Sequence, residues 1–297
     1  MANRFSTRAQ PAKWDPAEYA VHSAVQQSWA RELIAGLKLR GDERILDVGC
    51  GDGKVTAEIA RAMPRGSVVG IDASAEMIAF ARKTFPSSAI PNLTFQVGDA
   101  RGIGAVGRAT PGAPPSGTGG GQRAARPPLA AGQFDLIFSN AALHWVDDHP
   151  AFLRGAAAVL KPGGRLVVSC GGKGNAHDVF LALRPEMRLQ RWRQFFRKLE
   201  APYFFYSPAD YDKWLPRFGF KTRSVKLAPK DAVYAGRDGF AAWLRTTWLP
   251  YVQRVPDKLR EEFIAAVADR YLARHPPDAA GHVHVRMVRL EIDAIKF

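Results

Sequence analysis

The 297-residue chain is poor in cysteine and contains no long apolar run. Its two cysteines, Cys50 and Cys170, are too few for a disulfide framework or a metal cluster, so we expect no metal site. No apolar stretch approaches the roughly 18 residues that suffice to cross a membrane. The N-terminal MANRFSTRAQPAK also lacks the apolar centre of a secretory signal. These absences argue against a disulfide-rich, membrane-spanning or secreted protein and favour a cytoplasmic one.

Acidic side chains are outnumbered by basic ones. Lys and Arg total 42 and Asp and Glu total 28, which gives a formal net charge of +14. Such an excess attracts nucleic acids, acidic membranes and carboxylate substrates alike, so it selects none of them. Residues 102–132 contain no acid, and Gly contributes 9 of these 31 residues, Ala 7 and Pro 5. That composition cannot bury a core, and it predicts a flexible insertion.

Strand-like apolar runs alternate with helical patterns along most of the chain. The predicted strands occupy residues 44–49, 67–72, 93–99, 134–140, 165–170, about 221–228 and 282–297. Helices are predicted at 54–62, 75–85, 149–160, 175–208 and 238–273, and Ser74 is a suitable N-cap for the second of them. Strands that alternate with helices form parallel sheets whose ligands bind at the carboxyl ends of the strands. The sequence therefore predicts an α/β protein with a Rossmann-like, doubly wound, mostly parallel seven-stranded sheet.

The first predicted strand runs into a glycine-rich loop, in the segment ILDVGCGDGK at 45–54. A dinucleotide fingerprint, G-x-G-x-x-G, needs a third glycine where the sequence has Lys54, and a phosphate loop needs Ser or Thr after its lysine. Here a valine follows that lysine. The pattern that is present is D-x-G-x-G-x-G, formed by Asp47, Gly49, Gly51 and Gly53.

This loop combines glycines with a carboxylate at the end of a strand. Glycines let the backbone approach a ligand closely, whereas a carboxylate holds a cation and repels a pyrophosphate. S-adenosylmethionine carries an α-ammonium and a sulfonium and has no phosphate. The loop therefore favours S-adenosylmethionine over NAD as the cofactor. Asp52, between two of the glycines, is either a ligand or a turn former.

Two more acids end the next two strands. Asp72 follows Asp47 by 25 residues, at a position where a carboxylate can accept two ribose hydroxyls, as it also does in NAD enzymes. Asp99 follows 27 residues later in VGDA, where it can accept a hydrogen bond from an adenine amino group. Acids at the ends of three successive strands predict a nucleoside site. The alternative is that each acid only caps the next helix.

The segments DVGCGDGK, GIDAS, VGDA, FDLIFSNAALHW and LKPGG resemble the class I S-adenosylmethionine-dependent methyltransferases over residues 40–172. The N-terminal YAVHSAVQQSWARELI and the HW pair are similar to the branch that holds trans-aconitate and juvenile hormone acid methyltransferases, which esterify small carboxylic acids. The insertion at 102–132 departs from this family, in which a short link is usual at that place.

The resemblance implies a cofactor site at the carboxyl ends of the strands. Glycines of the loop would line the methionine moiety, Asp72 would bind ribose, and Asp99 with Ala100 would contact adenine. Met77 would pack on the adenine face, although a core position in its helix is the alternative. The implied cofactor-binding residues are Asp47, Gly49, Cys50, Gly51, Asp72, Ala73, Met77, Asp99, Ala100, Asn140 and Ala141.

The acceptor site is expected beside Asn140 and Ala141, where the family places the reactive methyl. A carboxylate acceptor is ionised at neutral pH and needs only alignment, for which the resemblance implies Gln26 and Trp145. His144 would act as a base if the acceptor were a hydroxyl or an amine, as in an N- or C-methyltransferase of a specialised metabolite. The aromatic and imidazole rings expected to cover this pocket are those of Trp14, His22 and Trp29.

The segment 184–206 is basic and aromatic, which suits either a helical lid or a surface for stacking nucleic-acid bases. The fourth strand runs into SNAALHW rather than the N-P-P-[FYW] turn of nucleic-acid base methyltransferases. We therefore expect a small-molecule substrate and no nucleic-acid or membrane partner, in a monomer or homodimer. The expected organisation is an N-terminal cap helix segment at 1–40, a methyltransferase domain at 41–297 and a helical lid at 174–215.

Overall fold

The computed structural model describes Trp14, Pro16 and residues 24–103, 129 and 131–297. Its strands are β1 (Arg44–Val48), β2 (Ser67–Asp72), β3 (Leu93–Val97), β4 (Phe134–Asn140), β5 (Leu160–Gly171), β6 (Phe220–Ala235) and β7 (His282–Lys296). They form one seven-stranded sheet in the order β3-β2-β1-β4-β5-β7-β6. The first five strands are parallel, and β7 runs antiparallel to both β5 and β6. The predicted Rossmann-like, mostly parallel sheet is confirmed.

The helices flank this sheet and bury one face each. They are α1 (Ala24–Ala35), α2 (Lys54–Arg61), α3 (Ala75–Thr84), α4 (His149–Val159), α5 (His177–Arg188), α6 (Pro208–Arg217), α7 (Gly236–Thr247), α8 (Leu249–Val252) and α9 (Asp257–Leu272). The predicted N-cap is confirmed, since Oγ of Ser74 accepts a hydrogen bond from the backbone N–H of Met77 at 3.1 Å. None of the described helices is long and apolar enough to cross a membrane.

Several elements differ in extent from the prediction. β5 begins at Leu160 rather than at 165, because Leu160 pairs with Phe134 before the register shifts at the start of β4. β6 is also longer, since it pairs with β7 as far as Ala235. The region predicted as helical at 238–273 contains three helices, α7 to α9, because prolines stand at the starts of α8 and α9, where no helical N–H is needed.

The segment predicted as a continuous helix at 175–208 is helical only in part. After α5, a 3₁₀ turn spans Arg193–Phe196, and no regular element is present between that turn and α6. The segment 174–215 thus contains two separate helices, and α7 to α9 pack beside α5 in one hydrophobic cluster. Its role as a lid stays a prediction.

The aromatic side chains of the basic segment point into this helical cluster. Trp192 is 2% exposed, and its ring centre lies 5.3 Å from that of Phe263. Phe196 packs on the same ring at 5.2 Å. The basic residues of the segment are exposed: Arg184, Arg188, Arg191, Arg193, Arg197 and Lys198. A base could not stack on Trp192 without unfolding the cluster, so these contacts favour a cover for the sheet over a nucleic-acid surface.

Candidate functional site

The sheet reverses its strand order between β1 and β4, at the place where open α/β sheets bind ligands. β3, β2 and β1 lie side by side on one flank of this point, so their carboxyl ends are neighbours. Asp47 is the next-to-last residue of β1 and Asp72 is the last residue of β2. Asp99 lies two residues beyond the end of β3. The parallel register thus brings the predicted strand-end acids to one edge of the sheet.

The glycine-rich loop after β1 has a backbone that only glycine adopts easily. Gly49, Gly51 and Gly53 have φ angles of 79°, 53° and 83°. A Cβ on Gly49 would lie 2.1 Å from Cβ of Ala142, so this glycine allows the loop to pack against the chain after β4. A Cβ on Gly51 would meet no atom within 4 Å, which leaves its backbone open to a ligand.

Asp72 ties this loop to the start of α3. Its Oδ2 accepts the backbone N–H of Gly51 at 3.0 Å, and its Oδ1 accepts that of Ser74 at 2.9 Å. Burial raises the pKa of Asp72, although these two N–H groups oppose the shift. A carboxylate oxygen can accept a second hydrogen bond, so both oxygens retain the capacity to receive hydroxyl donors.

Asp47 is the most deeply buried acid at this edge, with 2% of its surface exposed. The hydroxyl of Thr56 donates to its Oδ2 at 2.7 Å. Burial raises the pKa of Asp47 to about 7, opposed by the Thr56 hydrogen bond and assisted by the nearby charge of Asp72. A buried carboxyl with this pKa gains from a bound cation, so the loop fits a ligand that carries an ammonium or sulfonium and hydroxyls.

The other predicted cofactor residues lie around this loop with different surroundings. Asp52 forms the turn, since its Oδ1 accepts the N–H of Lys54 at 3.2 Å. Cys50 and Met77 are buried at 8% and 3% exposure, while Ala73 is exposed and Ala100 partly so.

Asp99 is exposed and already holds a cation from its own segment. Both of its carboxylate oxygens accept hydrogen bonds from the guanidinium of Arg101, which also reaches Asp147 at 2.9 Å. The carboxylate also caps the 3₁₀ turn Ala100–Gly102 by accepting the N–H of Arg101. An adenine contact by Asp99 therefore has to share the carboxylate with this ion pair, and it stays a prediction.

A cavity of about 70 Å³ lies beside this loop region, at the carboxyl ends of β4 and β5. This acceptor cavity has room for several water-sized groups. Its walls are Trp14, Trp29, Ala141, His144, Trp145, Asn175, Ala176, Tyr203, Phe205, Trp243, Thr247, Trp248, Met287 and Arg289. Trp14 and Trp29, which are predicted to cover the pocket, border this cavity, and their role at an acceptor stays a prediction. His22 and the side chain of Gln26 lie outside the described residues.

A 3₁₀ turn, Leu143–Trp145, presents the HW pair to this cavity. His149 holds this turn in place through a hydrogen bond, because its ring nitrogen Nε2 lies 2.8 Å from the carbonyl oxygen of Leu143. A carbonyl only accepts, so Nε2 carries the proton and Nδ1 accepts from the hydroxyl of Tyr211 at 2.7 Å. Trp145 packs between Trp14 and Tyr203, with ring centres 5.5 and 4.8 Å away.

His144 has a defined tautomer for a related reason. The backbone N–H of Gly171 donates to its Nδ1 at 3.4 Å, so the ring proton is on Nε2. Burial lowers the pKa of His144 to about 3, and the positive charge of Arg289 adds to this effect. The ring is therefore neutral, and it can act as a hydrogen-bond donor through Nε2 over the physiological pH range.

Arg289 is a cavity residue that the sequence analysis missed. It lies on β7 opposite Gly171, with 3% of its surface exposed. Its guanidinium donates to Oδ1 of Asn140 at 3.1 Å and to Oγ of Ser169 at 3.2 Å. The one sequence feature that could have revealed it is a basic residue amid the apolar positions of the last strand. The sequence does not show, however, that this strand inserts beside β5.

Comparison with known proteins gives the class. A family model described as "Methyltransferase domain" matches residues 21–225, which is more than half of the chain. The chain belongs to this family, and it is an enzyme whose methyl donor is S-adenosylmethionine, the cofactor that the loop predicted.

The similar curated proteins are more specific in name. Trans-aconitate 2-methyltransferase of Deinococcus radiodurans is 27% identical over 280 residues, which cover 93% of this chain and 96% of that protein. The protein of the same name from Methylobacterium nodulans is 28% identical, over 94% of this chain and 96% of its own length. The predicted resemblance is thereby confirmed at the level of the family and of this group of relatives.

Solved structures share the fold at lower identity. A putative methyltransferase from Bacillus halodurans matches with a TM-score of 0.57 at 18% identity, over 91% of this chain and 99% of that chain. Phosphoethanolamine N-methyltransferase 2 of Haemonchus contortus, in complex with S-adenosyl-L-methionine, matches with a TM-score of 0.55 at 13% identity, over 95% of this chain and 56% of that one.

Proposed function

We propose that the enzyme transfers a methyl group to a carboxylate oxygen of a small organic acid. The observation that carries this proposal is the hydrogen bond from the backbone N–H of Gly171 to Nδ1 of His144, which fits a neutral imidazole in the acceptor cavity. His144 has a pKa lowered to about 3, chiefly by burial, and burial raises the pKa of Tyr203 well above its ordinary value. Neither group can take up a proton from an acceptor near neutral pH. A carboxylate is already ionised there, so it needs no base.

Alignment is what remains for the protein to supply. The bound cofactor provides a methyl group that is activated by its positive sulfur. Nε2 of His144 is a neutral donor at the cavity wall, where it can hold one carboxylate oxygen while the other faces the methyl. The indole N–H of Trp145 and the amide of Gln26 are proposed as further donors. Holding the acid close and in line with the methyl can contribute several kcal/mol.

The aromatic walls exclude water around the reacting atoms. Trp14, Trp145 and Tyr203 form one continuous contact on the side of the HW turn. We propose that the cap segment at 1–40 closes this side together with the helical lid at 174–215, which is part of the methyltransferase domain at 41–297. The curated relatives named trans-aconitate 2-methyltransferase support an acid as the acceptor.

The cofactor would occupy the loop after β1. We propose that Asp47, Gly49, Cys50 and Gly51 surround its methionine part and that Asp72 and Ala73 hold its ribose. Met77, Asp99 and Ala100 are proposed around the adenine, and Asn140 and Ala141 beside the methyl. The competing proposal, a hydroxyl or amine acceptor with His144 as base, is disfavoured by the lowered pKa of that ring, because an effective base has a pKa near the working pH.

Labelled methyl transfer tests the proposal directly. The purified enzyme is incubated with methyl-labelled S-adenosylmethionine and a panel of mono-, di- and tricarboxylic acids that includes trans-aconitate. Each acid is paired with the alcohol, the primary amine and the primary amide of the same skeleton. We expect label in base-labile esters of one or more acids. Label that appears only in the alcohols or in amines would overturn the proposal.

A further inference from the structure

Arg289 introduces a positive charge into an otherwise aromatic cavity. Arg289 is 3% exposed as a whole residue and lines the acceptor cavity together with His144 and Asn175. Removing a guanidinium from water is costly unless charge or hydrogen bonds replace the water. Among its hydrogen bonds are those to Asn140 and Ser169, which place the guanidinium at the cavity wall.

The surrounding contacts hold the guanidinium in one orientation. Its Nε and Nη2 donate to the ends of β5 and β4 through Ser169 and Asn140. The opposite side lies 5.4 Å from the ring centre of Trp29, on α1. A planar cation fixed in this way is prepared for a planar anion, because little further side-chain entropy is lost on binding.

The electric field of this cation extends across the cavity. The positive charge of Arg289 contributes to the lowered pKa of His144, and it also acts on the thiol of Cys170, whose pKa burial raises to about 12. A field that disfavours protonation of the imidazole favours an anion at the same place. The cavity wall therefore combines a neutral donor, Nε2 of His144, with a fixed positive charge.

We propose that Arg289 is the specificity-determining residue that recognises the negative charge of the acceptor acid. This inference rests on the proposed function and deepens it. A carboxylate in the cavity would lie between the guanidinium and the positive sulfur of the cofactor, whereas a neutral amide or alcohol would lack both attractions. Esterification removes one negative charge, so the product loses this attraction when the methyl has moved.

The test is a charge-discrimination cycle on the full chain with S-adenosylhomocysteine bound. Affinities are measured by calorimetry for the acids of the panel, trans-aconitate among them, and for their primary amides. We expect the wild type to prefer an acid over its amide by at least about tenfold, and R289Q to reduce this preference to less than about threefold. R286Q is the matched control, because Arg286 is exposed on the same strand and pairs with Asp178.

The controls separate recognition from a purely structural role. A structural role would weaken acid and amide equally in R289Q, and that result would overturn the inference. If R289Q does not fold, R289K takes its place. Lysine retains the positive charge, so R289K should retain a preference for the acid over the amide. Loss of that preference in R289K would overturn the inference. Equal binding of acid and amide by the wild type would overturn the inference without any variant.

Failure of the inference is distinguishable from failure of the proposed function. Acids that accept the methyl while R289Q keeps the full acid preference would overturn the role of Arg289 alone. Acids that bind in an Arg289-dependent way but accept no methyl would overturn the proposed function alone. Acids that neither bind nor react would overturn both.

Discussion

The carboxylate of Asp72 bridges the N–H of Gly51 and the N–H of Ser74, and so joins the glycine-rich loop to the first turn of α3. One side chain therefore both shapes the loop and offers acceptors to a ligand. Substituting it should affect the cofactor more than the fold, because both N–H groups belong to partly exposed backbone.

We expect Asp72→Ala to weaken binding of S-adenosylhomocysteine by about 2–4 kcal/mol, since two charge-assisted hydrogen bonds would be lost. Isothermal calorimetry measures the change. Glu76→Ala is the control, because Glu76 is an exposed acid four residues further on, in α3. An affinity within twofold of the wild type would mean that Asp72 serves the loop and α3 only.

The negative charge of Asp47 should lower the stability of the free enzyme and raise its affinity for the cofactor. Its pKa is raised by burial to about 7 in the folded state, so folding favours its protonated form. The folded protein then binds more protons than the unfolded chain, and this contribution to stability falls as the pH rises from about 4 to 7. We expect Asp47→Asn to melt higher than the wild type at pH 8 and by a smaller margin at pH 5, while binding S-adenosylmethionine less tightly.

Asp135 provides a control of opposite sign for the melting curves. Its pKa is lowered despite some burial, because Lys161 and the N–H of Arg44 hydrogen-bond to it. Asp135→Asn should therefore melt lower than the wild type at pH 8. An Asp47→Asn variant that also melts lower at that pH would contradict the predicted cost of its buried charge.

Turnover should be independent of pH where the acceptor is ionised. With cofactor and acid saturating, we expect kcat to be flat from about pH 6 to 8, because the pKa of His144, lowered mainly by burial to about 3, lies far below this range. His144→Gln, which preserves a donor, should retain more activity than His144→Ala. A rate that rises through a histidine-like pKa and collapses in His144→Ala would favour a hydroxyl or amine acceptor.

The support beneath the HW turn should matter for turnover. Tyr211→Phe removes the hydroxyl that donates to Nδ1 of His149 and leaves that buried nitrogen without its donor. We expect a loss of about 1–3 kcal/mol in urea unfolding and a lower kcat with little change in cofactor affinity. Tyr206→Phe loses only an exposed hydrogen bond to the carbonyl of Asp147, so it should cost less. Equal losses in the two variants would contradict this assignment.

The residues of the proposed cofactor half of the site lie close to one another in the sequence. Their positions at the strand ends could therefore be predicted from local patterns. Asp47 and Asp72 end strands whose apolar runs are plain in the sequence, and Ser74 caps the helix that follows directly. The bounds of β4 were also predicted correctly, because a buried run between a loop and a turn has few alternatives.

The acceptor half depends on contacts between distant parts of the chain. Arg289 and Asn140, which share a hydrogen bond, are 149 residues apart, and no local pattern encodes their meeting. The tautomer of His144 likewise depends on a backbone N–H of β5. The interruption of the predicted helix after Arg188 reflects tertiary packing, since Trp192 and Phe196 contact Phe263 of α9. Propensity within one segment could not reveal any of these contacts.

The insertion of β7 between β5 and β6 has a consequence for vectorial synthesis on the ribosome. The strands that form the cofactor edge, β1 to β4, and their parallel neighbour β5 emerge early and can pair with one another as they appear. β6 emerges before its partner β7, so it must wait for that strand to pair. Because β7 also delivers Arg289, the proposed recognition of a charged acceptor can arise only after the glycine-rich loop has been able to form.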